Sequence, residues 1–272
     1  GTCLWFDGKA KEAALFYKEV FGEFEMISEN PMAVNYQLFG RRFMHLNGGP
    51  GYPINASISF FVNMKTEEEI EATWSKLIQG GDALMPLGTY PWSTKYGWCK
   101  DQYGVNWQLM MGHESSCKIM PNLMFTGTNN GRAKEAIDFY SSLFEPAKTI
   151  QISQYEKGEN DTEGHIKYAQ FELLGLPFGA MDSTGPYKFQ FNEGVSFMLV
   201  VDTQDEIDNY WNQLVDGGAP GRCGWLKDKF GFSWQIVPSI LGKLVSDPEK
   251  GQRVIQVFSQ MKKFNIQTLI NA

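Results

Sequence analysis

The chain carries one fourteen-residue motif twice. Gly97–Met110 reads GWCKDQYGVNWQLM and Gly224–Val237 reads GWLKDKFGFSWQIV. Seven of the fourteen positions are identical, and an eighth, Tyr103 against Phe230, is aromatic in both. The second copy starts 127 residues after the first in a chain of 272. A repeat of that period predicts one structural module used twice, and each residue pattern must then make sense in both copies.

Other pairs keep the same order. Leu4-Trp5-Phe6 is echoed by Leu123-Met124-Phe125, and Tyr36-Gln37-Leu38 by Phe171-Glu172-Leu173. Ile58-Ser59-Phe60 matches Val195-Ser196-Phe197, Trp74 matches Trp211, and Gly80-Gly81 matches Gly217-Gly218. Each opening run reads as a strand. Helices fit Ala10–Phe21 and Arg132–Phe144, where apolar residues recur at helical spacing and Phe16-Tyr17 matches Phe139-Tyr140. The first stops at Gly22. Val34–Leu38 alternates as a half-buried strand, and Phe43–Leu46 runs back from it. Ala56–Asn63 reads as another strand; Thr66 then caps a helix that opens on three glutamates and runs to Ile78. Asp82–Tyr96 reads as loop and strand. Each module is thus a strand, a helix and further strands, given twice over. The fold class is α+β, in paired βαβββ units.

The expected boundaries are a first module over 1–112, a linker over 113–121, a second module over 122–238 and a helical tail over 239–272. The linker holds His113, Ser115, Ser116 and Cys117. In the tail, Asp247-Pro248-Glu249 reads as a helix start. Val254, Val257, Phe258 and Met261 follow as an amphipathic stripe, suited to packing on the chain's own domain or a dimer mate.

Composition narrows the function classes. Hydrophobic residues make up 43% and aromatics 14%, enough for a core in each module. A net charge of −7 without a Lys/Arg cluster argues against nucleic acid as a partner. No apolar run reaches the roughly 20 residues that span a bilayer, and no signal peptide is visible. The chain opens Gly-Thr-Cys without an initiator methionine, so residues ahead of Gly1 are expected to be missing. Its four cysteines form no CxxC pair and read as reduced thiols of a cytoplasmic protein, with Cys3 the one to watch for reactivity.

The strand–helix opening with Phe-Tyr on the helix and the closing D-x-x-G-x-x-W-Q strand resemble the vicinal oxygen chelate superfamily, which includes glyoxalase I, bleomycin-resistance proteins and extradiol dioxygenases. Within it, LWFDGKAKEAALFY, RRFMHLNGGP and CGWLKDKFGFSWQIVP are similar to the PhnB-like branch in its tandem two-domain form. The resemblance covers nearly the whole chain. It implies glyoxalase-like modules whose curved mixed sheets form a cup, and a homodimer, since members commonly dimerise. Some PhnB-like proteins carry a methyltransferase name. No Gly-rich loop here follows an expected strand as a Rossmann-type nucleotide site requires.

In metal-using relatives the ligands are a His or Gln on the first strand and a Glu on the last strand of a unit. Alternation on the last strand puts Val105, Trp107 and Leu109 on one face, toward the helices, leaving Gln108 and its equivalent Gln235 toward the concavity. These amides stand where the resemblance implies a Glu ligand, and an amide is a poorer ligand for a divalent cation than a carboxylate. On the first strands, Cys3 and Trp5, with their equivalents Asn122 and Met124, should face the cup. No metal site is therefore expected, although the resemblance leaves room for a divalent ion. His45 lies in an expected strand and could face either way; His165 reads as structural or exposed.

Glu172 alternates with Phe171 and Leu173 and should share a face with Gln170 and Gln235. Buried there it would serve as a general base; a solvent-facing strand residue is the plainer account. Trp5, Trp98, Trp225 and His45 are candidates for an aromatic binding wall, with core packing the competing role for each tryptophan. The candidate ligand-binding set is completed by Gln37, Gln108, Asn122, Gln170, Glu172 and Gln235. The reading that follows is a small-molecule binder with an amide- and aromatic-lined cup and no metal. Its alternative is a divalent-metal enzyme of glyoxalase or dioxygenase type. A third reading is a partner-binding protein with a vestigial cup.

Overall fold

The computed structural model describes residues 1–112 and 117–272. His113, Ser115 and Ser116 lie outside the described residues. The chain divides into two compact units that do not follow chain order: Trp5–Gln190 forms the larger, and Gly1–Leu4 with Phe191–Ala272 the smaller.

In chain order the elements are β1 (Thr2–Phe6), α1 (Ala10–Phe21), β2 (Phe24–Glu29), β3 (Ala33–Leu38), β4 (Arg41–Asn47), β5 (Ile58–Met64), α2 (Glu67–Leu77), β6 (Asp82–Tyr90), β7 (Ser93–Lys100) and β8 (Asn106–Met111). There follow β9 (Ile119–Phe125), α3 (Ala133–Leu143), β10 (Ala147–Gln154), β11 (Ile166–Leu173) and β12 (Leu176–Asp182). The last are β13 (Val195–Val201), α4 (Gln204–Val215), β14 (Ala219–Pro220), β15 (Trp225–Lys227), β16 (Ser233–Pro238), α5 (Leu241–Val245), α6 (Gly251–Gln260) and α7 (Ile266–Ile270).

The larger unit is built on an eight-stranded sheet of order β10-β11-β12-β9-β5-β8-β7-β6. It joins the second half of the first expected module to the first half of the second, through the antiparallel pair β5–β9. Crossovers make β5 and β8 parallel, and likewise β9 and β12; the outer pairs are antiparallel. The sheet curls. Phe61 on β5 and Tyr168 on β11 have ring centroids 6.1 Å apart, although three strand spacings of a flat sheet would separate them by about 14 Å. The antiparallel meander β2-β3-β4 and α1 complete this unit.

The smaller unit repeats part of the plan. Its strands run β14-β15-β16-β13, with Thr2, Cys3 and Leu4 of β1 paired antiparallel to β13. The tail packs within this unit: Val254 of α6 is buried, and Phe258 packs edge-on against Phe264. Asp247 does not start α6, which begins at Gly251; its carboxylate accepts the N–H groups of Glu249 and Lys250 in the preceding turn.

The repeated motif is a structural clamp. The Asp101 carboxylate is buried and accepts four hydrogen bonds: Tyr103 N–H at 2.8 Å, Val105 N–H at 3.0 Å, Trp107 Nε1–H at 2.8 Å and Tyr17 O–H at 2.8 Å. Asp228 accepts the matching set from Phe230 N–H, Phe232 N–H and Trp234 Nε1–H. Each carboxylate closes the turn before the last strand and fixes the indole six residues on. Trp107 is thereby held against Tyr17 and Phe21 of α1, with ring centroids at 5.0 and 4.8 Å. The paired glycines are equally mechanical. Gly80 and Gly217 both adopt φ +72°, and a Cβ on Gly81 or Gly218 would lie 2.2 or 2.0 Å from a carbonyl oxygen of the neighbouring strand.

The bounds of α1, α2 and α3 agree with the sequence within a residue. Thr66 Oγ1 accepts the Glu69 N–H, and Thr203 with Glu206 forms a full capping box. Three strand readings need correction. β2 and β10 fall where the sequence shows no buried alternation, because both are edge strands with mostly exposed side chains. Asp82–Tyr96 is a hairpin that turns at Pro91-Trp92. The expected linker ends early, since Ile119, Met120 and Pro121 already pair with β5.

Candidate functional site

One face of the curled sheet in the larger unit encloses a cavity of about 520 Å³. Its lining is apolar and soft: Phe61, Met85, Tyr96, Trp98, Met110, Met124, Tyr168 and Met181, with Trp92 exposed on the β6–β7 turn. Strand alternation sorts these from the core. Phe60 and Trp107 pack together on the opposite, helix-facing side at 5.4 Å, while Phe61, Gln108 and Met110 face the cavity. Thioethers beside aromatic rings give a wall that adapts to a ligand's outline.

A row of polar side chains crosses the sheet beneath this lining. Register places Gln151 opposite Gln170, Gln170 opposite Gly179, Gly179 opposite Asn122, and Asn122 opposite Ser59. The Ser59 hydroxyl accepts from Gln108 Nε2 at 2.7 Å, and the Tyr96 hydroxyl donates to Gln108 Oε1. The amide oxygen faces Tyr96 and its nitrogen faces Ser59. Burial pushes the Tyr96 and Tyr168 phenols up, Tyr168 to about 12, so both remain protonated donors at neutral pH. A Cβ on Gly179 would lie 2.6 Å from Asn122 Oδ1; the glycine makes room for that amide.

Of the residues the sequence nominates, Trp98 and Gln108 line the cavity and pair directly across β7 and β8. Asn122 lies in the polar row, fully buried, and Gln170 is buried in the same row. Glu172 is half-buried on β11 between Lys148 and Pro177 of the flanking strands and does not line the cavity. Gln37 is half-buried between Glu25 and Arg42. Trp5 donates its indole N–H to the Gly49 carbonyl at 2.7 Å and meets Tyr52 edge-on.

His45 belongs to the core. Its Nδ1–H donates to the Ala10 carbonyl at 2.9 Å, which leaves Nε2 to accept from the Tyr36 hydroxyl at 2.7 Å. Burial lowers its pKa to about 3, so it stays neutral. In the smaller unit, Trp225 and Gln235 pair across β15 and β16 just as Trp98 and Gln108 do, and Gln235 Nε2 donates to Ser196 at 3.0 Å. Cys3 is buried beside them, with its thiol pushed up to about 11 by burial, which leaves it unreactive as a nucleophile at neutral pH. All four cysteines are free thiols.

Sequence reasoning missed Tyr168, Met85, Met181 and the two β10 residues Gln151 and Ser153. Tyr168 was within reach, since it shares parity with Gln170 on β11. The β10 residues were not, because nothing in an exposed edge strand announces which sheet it joins.

The donors present do not form a site for the divalent ion that the resemblance implies. Among the described residues no three of His, Cys, Asp and Glu come close enough to hold a metal. The one carboxylate in the cavity wall, Asp182, accepts N–H groups from Gly131, Ala133 and Ile166. The amides, phenols and thioethers that remain do not fit a hard divalent cation. No described helix is long and apolar enough to cross a membrane.

Comparison with known proteins agrees with this architecture. The family model described as 3-demethylubiquinone-9 3-methyltransferase matches twice, over residues 1–110 and 117–237. A putative 3-demethylubiquinone-9 3-methyltransferase, PhnB protein, from Bacillus cereus is 37% identical over 40% of this chain and 96% of its own, with a TM-score of 0.38. Glyoxalase I from Zea mays is 12% identical, covers 95% of both chains and has a TM-score of 0.61, a likeness of fold. Among curated proteins none matches significantly. Two successive matches to one family model, on two runs of βαβββ units that share a clamp, a helix and a closing W-Q strand, show that the chain belongs to the family so described, the PhnB-like family, in tandem form and with a glyoxalase-like fold.

Proposed function

We propose that this protein binds a small, largely apolar molecule in the cavity of its eight-stranded sheet, without a metal ion. One observation carries the reading: a cavity of about 520 Å³, within the usual range for small-ligand sites, lined by methionines and aromatics over an ordered amide row. The chemistry of the donors supports the metal-free part. Gln108 uses both ends of its amide within the protein, and Asp182 is occupied by backbone N–H groups. Glu172 lies away from the cavity lining, which leaves Asp182 as the carboxylate of the wall among the described residues, held by three backbone N–H groups.

The methyltransferase named in the family's description finds no support in the strand-to-helix turns. Asp7-Gly8-Lys9, Lys65-Thr66 and Asp202-Thr203 are short, and the longer Thr126–Arg132 lacks the Gly-x-Gly-x-x-Gly spacing of a dinucleotide-type phosphate turn.

The test is metal content of the untagged protein, with thermal melts after chelation, after addition of Ni²⁺, Zn²⁺, Mn²⁺ or Fe²⁺, and across a library of apolar compounds. Ligand-dependent melting shifts without stoichiometric metal are expected. Stoichiometric metal whose removal lowers the melting temperature would overturn the reading and direct work to lyase and dioxygenase assays.

A further inference from the structure

A residue of the cavity wall carries a buried donor that no described residue accepts. Trp98 is 8% exposed and lines the cavity, yet its indole Nε1–H has no hydrogen-bond partner among the described residues. The Tyr168 hydroxyl, on the opposite flank of the curled sheet, is likewise buried without a partner. The indoles that close the two motif copies are satisfied: Trp107 and Trp234 each donate to an aspartate at 2.8 Å. Buried N–H groups are nearly always paired in proteins, so an unpaired one in a cavity wall marks a bond made to something else.

The two donors differ in what they can accept. A phenol can rotate to accept a hydrogen bond, whereas an indole N–H can only donate. The group that completes Trp98 must therefore be an acceptor. It sits among Phe61, Tyr96, Met110 and Met124, an apolar surround that disfavours a full negative charge. Lys167, the cation of the cavity wall, is already engaged by Glu159. A neutral oxygen remains.

Resting on the binding function proposed above, we infer that the natural ligand is a flat, apolar molecule with a neutral carbonyl-type oxygen, which receives the Trp98 indole N–H, and that Tyr168 is a second donor to it. An apolar molecule of the same outline but without the oxygen would leave Trp98 dry, and should bind roughly tenfold more weakly.

The experiment uses a matched pair, 9-fluorenone and fluorene, which share a planar frame and differ by the carbonyl. Affinities are measured by calorimetry on the intact protein, on Trp98→Phe and on Tyr168→Phe. Indole N–H resonances are followed in protein carrying ¹⁵N-labelled tryptophan. Fluorenone should bind about tenfold more tightly than fluorene and shift one indole N–H signal, which is absent from Trp98→Phe. In that variant the preference should fall to near unity, whatever the change in fluorene binding; Tyr168→Phe should lower the preference in part. Unfolding curves of both variants confirm that they fold. Equal binding of the two compounds to the intact protein, or a preference that survives in Trp98→Phe, overturns the inference and leaves the binding function standing. If neither compound binds or shifts any indole signal, the inference and the binding function both fall.

Discussion

Replacing Asp101 with asparagine tests whether the repeated D-x-x-G-x-x-W-Q motif is a clamp or part of a reactive site. Oδ1 accepts the Tyr103 and Val105 amides, and Oδ2 accepts the Tyr17 hydroxyl and the Trp107 indole. In Asp101→Asn the carbonyl can keep the two turn amides, which places the NH₂ against Trp107 and Tyr17. The phenol can rotate to accept, but the indole N–H cannot. One buried donor is thus left unpaired, at about 1–3 kcal/mol, and three charge-assisted bonds become neutral ones at a loss of about 1 kcal/mol each. Allowing for relaxation, the expected cost is about 3–5 kcal/mol, a large part of the about 5–15 kcal/mol that holds a typical domain. Urea unfolding followed by circular dichroism and tryptophan fluorescence measures it. Trp107→Phe in the same chain should recover part of the loss, because it deletes the unpaired donor. A cost below about 1 kcal/mol, or unchanged stability with altered ligand affinity, would refute the clamp and place Asp101 in the binding function.

Other outcomes follow from the same geometry. His45 has a folded-state pKa near 3 against an ordinary 6.5, so the unfolded chain takes up a proton first as pH falls. The stability it contributes is present above about pH 6.5 and declines by about 1.4 kcal/mol per pH unit below it, down to pH 3. The stability gap between the native protein and His45→Gln should therefore narrow by about 2 kcal/mol between pH 7 and pH 5; a constant gap would show that His45 titrates in the fold as it does in the unfolded chain. Gly81→Ala, with its Cβ 2.2 Å from the Lys100 carbonyl oxygen, should cost about 1–3 kcal/mol in urea unfolding. Gly51→Ala, with nothing near its Cβ, should stay within about 0.5 kcal/mol. Gln108→Ala, which strands the Tyr96 hydroxyl, should destabilise more than Asn122→Ala, whose amide has no partner at either end among the described residues. The reverse order would mean that a bound water or ligand completes Asn122.

Much of the local structure was legible in residues. Apolar spacing and caps gave α1, α2 and α3 within a residue, and strict alternation assigned Trp107 and Gln108 to opposite faces of β8. The glycine pairs at 80–81 and 217–218 were visible as matches, though their purpose was not. A short carbonyl approach depends on a neighbouring strand that no local pattern names. His45 shows the same limit: its strand was expected, but its burial against Tyr36 and the Ala10 carbonyl depends on where α1 docks.

By itself the sequence determined the repeated βαβββ plan, the family and the side-chain parity of each strand, because these depend on short-range periodicity and on motifs that recur intact. Only the tertiary structure decided that β5–β8 join β9–β12 in one sheet. It therefore also decided which residues enclose the cavity, bringing Trp98, Gln108, Asn122 and Tyr168 to one concave face. The physical reason is that strand pairing is made by backbone hydrogen bonds common to every residue. A strand's side chains record which face is buried, and carry little trace of the partner beside it.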